Sequence, residues 1–192
     1  MIYIDDHIND FDLQAALAEI SEQRREQALS FRFEQGQRTC VLAYLLLKKG
    51  LQQEYDIWEN PLFEYGEHGK PSIVGHPEIN FNLSHCREAV VCAISNHPIG
   101  IDVECIREYH ESLVDYTMNE AEQAVIKAAP QPDVAFIRRW TMKEARLKLT
   151  GEGISDNLKN VLDDTSQLKF TTVEQLDRNY IYTVCEPLNA QH

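Results

Sequence analysis

The stretch Trp140-Thr-Met-Lys-Glu-Ala-Arg-Leu-Lys-Leu-Thr-Gly-Glu-Gly153 decides how the rest of the chain is read. Phe136, Trp140 and Leu147 fall at helical spacing and make one apolar stripe, and Gly151 supplies a stop, so the spacing predicts the last turns of a helix. On another face Ile137, Thr141, Glu144 and Lys148 follow at three- and four-residue steps, which stacks a carboxylate and an ammonium one turn apart. Any single Glu-Lys pair at this spacing also reads as a surface ion pair. A second acidic pair, in Ile99-Gly-Ile-Asp-Val-Glu104, is what raises the interest of the first.

Moving outward, a similar pattern occurs about one hundred residues earlier. Arg38 to Gly50 carries an apolar run, Cys40 to Leu47, that ends in two lysines and Gly50, the signature of a helix C-terminus, and it parallels Arg139 to Gly151. Both segments are followed by strand candidates. Around the first these are Ile79 to Leu83, Ala89 to Ile94 and Ile99 to Val103, expected as an antiparallel meander. Around the second they lie near Val161, Leu168 to Val173 and Tyr180 to Cys185. The chain also opens on a strand candidate, Met1 to Ile4, and a helix from Asp12 to Ile20, and a capped helix is expected from Asn119 to Ala129, where Asn119 and Glu122 have capping-box spacing. The fold class is therefore α+β, in two similar halves related by a pseudo-twofold axis. Each half is a long helix on a small, mostly antiparallel sheet, with a cleft between the halves. The boundary is placed at 1–98 and 99–192, within one compact unit.

With 192 residues, 43% of them hydrophobic and 26% charged, the chain is sized for one folded domain. A net charge of −13 argues against nucleic acid as a partner. Basic residues nevertheless gather at Arg24, Arg25, Arg32 and Arg38 and at Arg138, Arg139, Lys143, Arg146 and Lys148, two patches that could hold a small polyanion. Five cysteines without a CxxC pair point to free thiols and a cytoplasmic setting, and the longest apolar run is too short to span a bilayer.

Asp102 and Glu104 are two residues apart in a predicted strand, so both project from one face while Ile101 and Val103 point inward. Paired carboxylates repel, and a hard divalent cation relieves the repulsion; Glu144 would complete such a site, although the same pattern suits a solvated face. His85 and Ser84, at the end of a strand, could contact an anion, and His85 also reads as a structural histidine. Lys70 sits in the turn Gly66 to Pro71. Acidic residues for a metal, with Lys, His and Arg for phosphates, thus occur in order through one chain.

Gly69-Lys70-Pro71, Phe81-Asn82-Leu83-Ser84-His85, Ile99-Gly100-Ile101-Asp102-Val103-Glu104 and Trp140-Thr141-Met142-Lys143-Glu144-Ala145 with Lys148 and Gly151 together resemble the ordered motif set of the 4'-phosphopantetheinyl transferases, of the monomeric, surfactin-synthetase-activating type. The resemblance implies transfer of the phosphopantetheine arm from coenzyme A to a serine of an apo carrier protein, with release of adenosine 3',5'-bisphosphate. It further implies Asp102, Glu104 and Glu144 as ligands of Mg²⁺ (or Mn²⁺) and Lys148 as the group that neutralises the pyrophosphate. Glu144 is also implied as acceptor of the serine proton, as ligand, base or both. Lys70, Ser84, His85, Arg24 and Arg38 would hold coenzyme A. Trp140 is assigned to core packing and Glu122 to the helix cap. The expected partners are coenzyme A and an acyl, peptidyl or aryl carrier protein, with no nucleic acid and no membrane, and the expected state is a monomer. The alternative is an inactive coenzyme A or nucleotide-binding module of the same fold.

Overall fold

Apolar alternation sets two β-sheets against each other and leaves their outer faces to helices. The structure, a computed structural model, describes residues 1–66, 69–151, 153 and 157–189. Glu67 and His68, inside the turn expected from Gly66 to Pro71, and Glu152 lie outside the described residues. Among the described residues no helix is long and apolar enough to cross a membrane.

The first sheet has the order β1-β5-β4, built from β1 (Ile2–Asp5), β4 (Asn80–His85) and β5 (Val90–Ser95), all antiparallel. Its outer face carries Val90, Cys92 and Ile94, which join a core with α1 (Leu13–Glu19), α2 (Glu22–Leu29) and the long α3 (Glu34–Tyr55). A hairpin of β2 (Phe63–Tyr65) and β3 (Pro71–Ile73) covers one end. The second sheet has the order β6-β8-β7, from β6 (Gly100–Cys105), β7 (Leu168–Gln175) and β8 (Tyr180–Pro187). Against it lies α6 (Pro132–Thr150), with α4 (Glu111–Thr117) and α5 (Glu120–Ala128) beside it. Each half therefore runs strand, helices, hairpin, and the last strand of the hairpin returns to pair with the first.

The inner faces meet through Ala89, Val91 and Ala93 from one sheet and Ile101, Val103 and Val184 from the other. This junction overturns the expected meander. β6 does not pair with β5; it pairs with β8, and its other edge faces β4 without a backbone ladder. Buried N–H groups need acceptors, and here the side chains of β4 supply them. The Ile101 N–H donates to Asn82 Oδ1 at 3.3 Å and the Val103 N–H to Ser84 Oγ at 3.2 Å.

Three further expectations are corrected. Gly50 does not end α3, which continues to Tyr55 and stops at Asp56 with a left-handed φ of 55°. Gly50 is instead a point of close approach, because a Cβ there would lie 2.1 Å from Ile94 Cδ1. Val161 is not in a strand; it closes a 3-10 turn and packs with Leu147 and Leu158. The second basic patch is broken up, because Lys143 is fully buried and Arg138 is paired with Glu174. Gly151 does end α6, in the left-handed region at φ 76° that favours glycine.

Candidate active site

The cleft is built where α6 crosses β6. Gly100 makes the approach possible: a Cβ at this position would stand 2.0 Å from the Ala145 carbonyl oxygen and 2.6 Å from the Leu149 nitrogen, both helix backbone. With no side chain between them, Glu144 and Lys148 of α6 overlie Asp102 of β6. Lys148 Nζ donates to Asp102 Oδ1 at 2.7 Å and to Ser84 Oγ at 2.8 Å, and Ser84 Oγ in turn donates to the same Asp102 oxygen at 2.9 Å. Asp102 is 4% exposed. Ser84 is buried as well, so its hydroxyl serves Asp102, Lys148 and the Val103 N–H together.

Two carboxylate oxygens facing this point have no hydrogen-bond partner among the described residues, Asp102 Oδ2 and Glu144 Oε1. Burial, reinforced by the Asp102 charge and opposed by Lys148, pushes the Glu144 carboxyl up to about 7. Burial and the Asp102 charge also raise Glu104, against the pull of Arg107 and of the Trp140 indole. Trp140 Nε1 donates to Glu104 Oε1 at 3.3 Å, so this residue does more than pack on Phe136: it fixes the Glu104 carboxylate. Its place on the apolar stripe gave no sign of this, since an indole N–H turned toward a strand has no spacing signature.

A cavity of about 310 Å³ opens in front of the acidic group, lined by Lys70, Asn82, Leu83, Glu144, Lys148 and Gly151 among others. Lys70 crosses from the first half and donates from Nζ to the Leu149 carbonyl at 2.8 Å, at the negative end of α6. Desolvation holds its ammonium below the usual lysine range. A neighbouring cavity of about 250 Å³ shares Pro71 and Leu83 with the first and is lined by Arg24, His85, Phe31 and Tyr65. Arg24 is buried, with its guanidinium donating to the Cys40 carbonyl at 2.7 and 3.1 Å and to Gln27 Oε1 at 2.9 Å. His85 is held below the usual histidine range by desolvation first, then by the Lys148 and Arg24 charges. Arg38 is not brought to this cleft. It lies in a separate depression with Arg32 and Asp12, paired with Glu34 at 2.8 Å.

On the far side of α6, Lys143 Nζ donates to Glu122 Oε2 at 2.7 Å and to the carbonyls of Thr117 and Leu158 at 2.9 and 2.8 Å. Glu122 also completes the capping box with Asn119, as its spacing predicted. The side chain next to Glu144 is thus an anchor that fixes the helix on its opposite face.

A family model of the 4'-phosphopantetheinyl transferase superfamily matches residues 98–187, the part that carries the acidic group and α6. A 4'-phosphopantetheinyl transferase, psf-1 of Bacillus pumilus, is 30% identical over 191 residues that cover 90% of this chain and 82% of that protein. The chain belongs to this family. Two other phosphopantetheinyl transferases are similar. The gsp protein of Aneurinibacillus migulanus is 35% identical over 150 residues, 77% of this chain and 62% of its own length. Sfp of Bacillus subtilis (strain 168) is 27% identical over 157 residues, 80% and 70% respectively. The family's activity is transfer of the 4'-phosphopantetheine arm from coenzyme A to a carrier-protein serine, so this phosphopantetheinyl transferase is a transferase with coenzyme A as substrate.

Proposed function

We propose that this phosphopantetheinyl transferase modifies an apo carrier protein in the cleft between its halves, with Asp102, Glu104 and Glu144 as the ligands of a divalent cation, Mg²⁺ or Mn²⁺. Residues 1–98 contribute coenzyme A contacts and residues 99–192 the acidic group. The observation that carries the reading is the pair of buried carboxylate oxygens without hydrogen-bond partners among the described residues, Asp102 Oδ2 and Glu144 Oε1, beside a third carboxylate, Glu104. Such oxygens are costly unless a cation meets them, and an all-oxygen acidic donor set suits a hard divalent ion. Among the described residues no three potential ligands already converge on one point, and Lys148 holds Asp102 by its other oxygen. When bound, the cation would neutralise charge on the coenzyme A pyrophosphate.

The residues themselves account for the rest. As the base, Glu144 takes the serine proton as the serine oxygen bonds to phosphorus and the phosphoanhydride bond breaks. Adenosine 3',5'-bisphosphate leaves, and Lys148 and Lys70 stabilise the charge that develops on it. Arg24 and His85, in the adjoining cavity, suit the nucleotide end of the substrate. A cleft assembled within one chain supports action as a monomer, and the five free cysteines support a reducing cytoplasm.

Intact-mass measurement of an apo acyl carrier protein with coenzyme A and Mg²⁺ tests the proposal. A gain of about 340 Da that a chelator abolishes is expected for the phosphopantetheine arm. Coenzyme A binding without any mass gain across several carrier proteins would favour an inactive binding module.

A further inference from the structure

The junction of β4 with the open edge of β6 has a third rung. Asn82 and Ser84 reach the N–H groups of Ile101 and Val103, so the two strands advance in parallel with a fixed offset. Carried one step past the end of β4, the same offset brings Cys86 opposite Cys105. Cys86 packs on the inner cluster between the sheets, the cluster that also holds Val103, two residues before Cys105. The turn that follows β4 closes through the Cys86 N–H, which donates to the Ala89 carbonyl at 2.9 Å.

Both cysteines are half-buried and free, whereas Cys40, Cys92 and Cys185 are fully buried. Fully buried thiols do not meet a dissolved disulfide, and these two can. We propose that Cys86 and Cys105 form a reversible disulfide site that locks the ends of β4 and β6 together across the two halves. The strand ends it would lock carry His85 and Glu104 to the cleft. With glutathione disulfide as the oxidant, the thiolate of one cysteine attacks a glutathione sulfur and expels glutathione thiolate. The second thiolate then attacks the mixed disulfide at the protein sulfur, forming the Cys86–Cys105 bond and expelling a second glutathione. The protein loses two electrons and two protons, and one glutathione disulfide becomes two glutathione molecules.

The site is independent of the transfer reading and is tested without an activity assay. The full chain is incubated with glutathione disulfide, blocked with an alkylating reagent, and analysed by intact mass and non-reducing peptide mapping. The expected result is a monomer lighter by about 2 Da before blocking, a cross-linked peptide joining Cys86 to Cys105, and full reversal by dithiothreitol. In Cys86→Ser and Cys105→Ser that peptide disappears and the remaining cysteine carries a glutathione adduct. Glutathione adducts on the wild-type pair, a disulfide-linked dimer, a bond to any other cysteine, or an unchanged mass would each overturn the proposal.

Discussion

Replacing Gly100 by alanine adds one methyl group at the crossing of β6 and α6, and its cost can be worked from the backbone alone. The new Cβ would lie 2.0 Å from the Ala145 carbonyl oxygen and 2.6 Å from the Leu149 nitrogen, the two atoms of one helical turn. Neither belongs to a flexible side chain, so relief requires the helix to lift from the strand by more than an ångström. Overpacking of a close-packed interior costs about 1–3 kcal/mol, and a clash with two backbone atoms of a packed helix belongs at the upper end, about 3 kcal/mol. For a chain of this size that is a fall in melting temperature of roughly 6–12 °C. Lifting α6 also withdraws Lys148 from Asp102, now 2.7 Å apart, and misplacement of this order costs about 100-fold in turnover. Differential scanning calorimetry and the carrier-protein mass assay read the two effects. A Gly100→Ala protein with unchanged melting temperature and unchanged transfer would refute the claim that this glycine sets the site.

The remaining predictions concern charge and the joints of the fold. Glu144 is raised from 4.5 to about 7, so between those values the folded state keeps a proton that the unfolded chain releases. Stability then falls as pH rises through that window, by about 1–2 kcal/mol once solvent screening of this partly exposed carboxyl is allowed for. Urea titrations at about pH 5 and pH 8 should show this slope in the wild type and not in Glu144→Gln, which should also lose transfer. Mg²⁺ binding, followed by calorimetry in buffers of different ionisation heat, should release protons near neutral pH and tighten as pH rises. Lys143→Met should cost roughly 3–5 kcal/mol because it strands the buried Glu122; the double change with Glu122→Gln should recover a large part of that loss in a melting experiment. Asn82→Ala leaves the buried Ile101 N–H without its acceptor and should cost about 1–3 kcal/mol in denaturant unfolding.

Much of the architecture was legible because it is written in periodicity. The Phe136, Trp140 and Leu147 stripe, the alternation around Ile101 and Val103, and the stop at Gly151 are local signals, and each marks an observed element. Gly50 deceived because a glycine after two lysines looks like a helix end, whereas its reason for being there is Ile94, on a strand more than forty residues away. The meander failed for the same cause: which strand β6 pairs with depends on β8, far along the chain. At the site, residue types at strand and helix spacing were enough to nominate Asp102, Glu144 and Lys148. They could not reveal that Ser84 is engaged within the network, that Trp140 reaches Glu104, or that Arg38 faces another depression. Those are facts of tertiary contact, and Arg38 in particular sits on the same long helix as the core residues while pointing elsewhere.

The strand order β1-β5-β4 and β6-β8-β7 has a consequence for how the polypeptide matures. In both units the central strand is the last of the three to leave the ribosome. β1 waits for β5, and β6, made soon after, waits until residues 180–187 have emerged. Through that interval the β6 edge that will meet β8 is unpaired, and only the opposite edge, at Ile101 and Val103, is held by side chains of β4. The early unit can close before the late one, in keeping with folding from the N-terminus during synthesis, and once closed it offers Asn82 and Ser84 as a template on which β6 is held in register until β8 arrives.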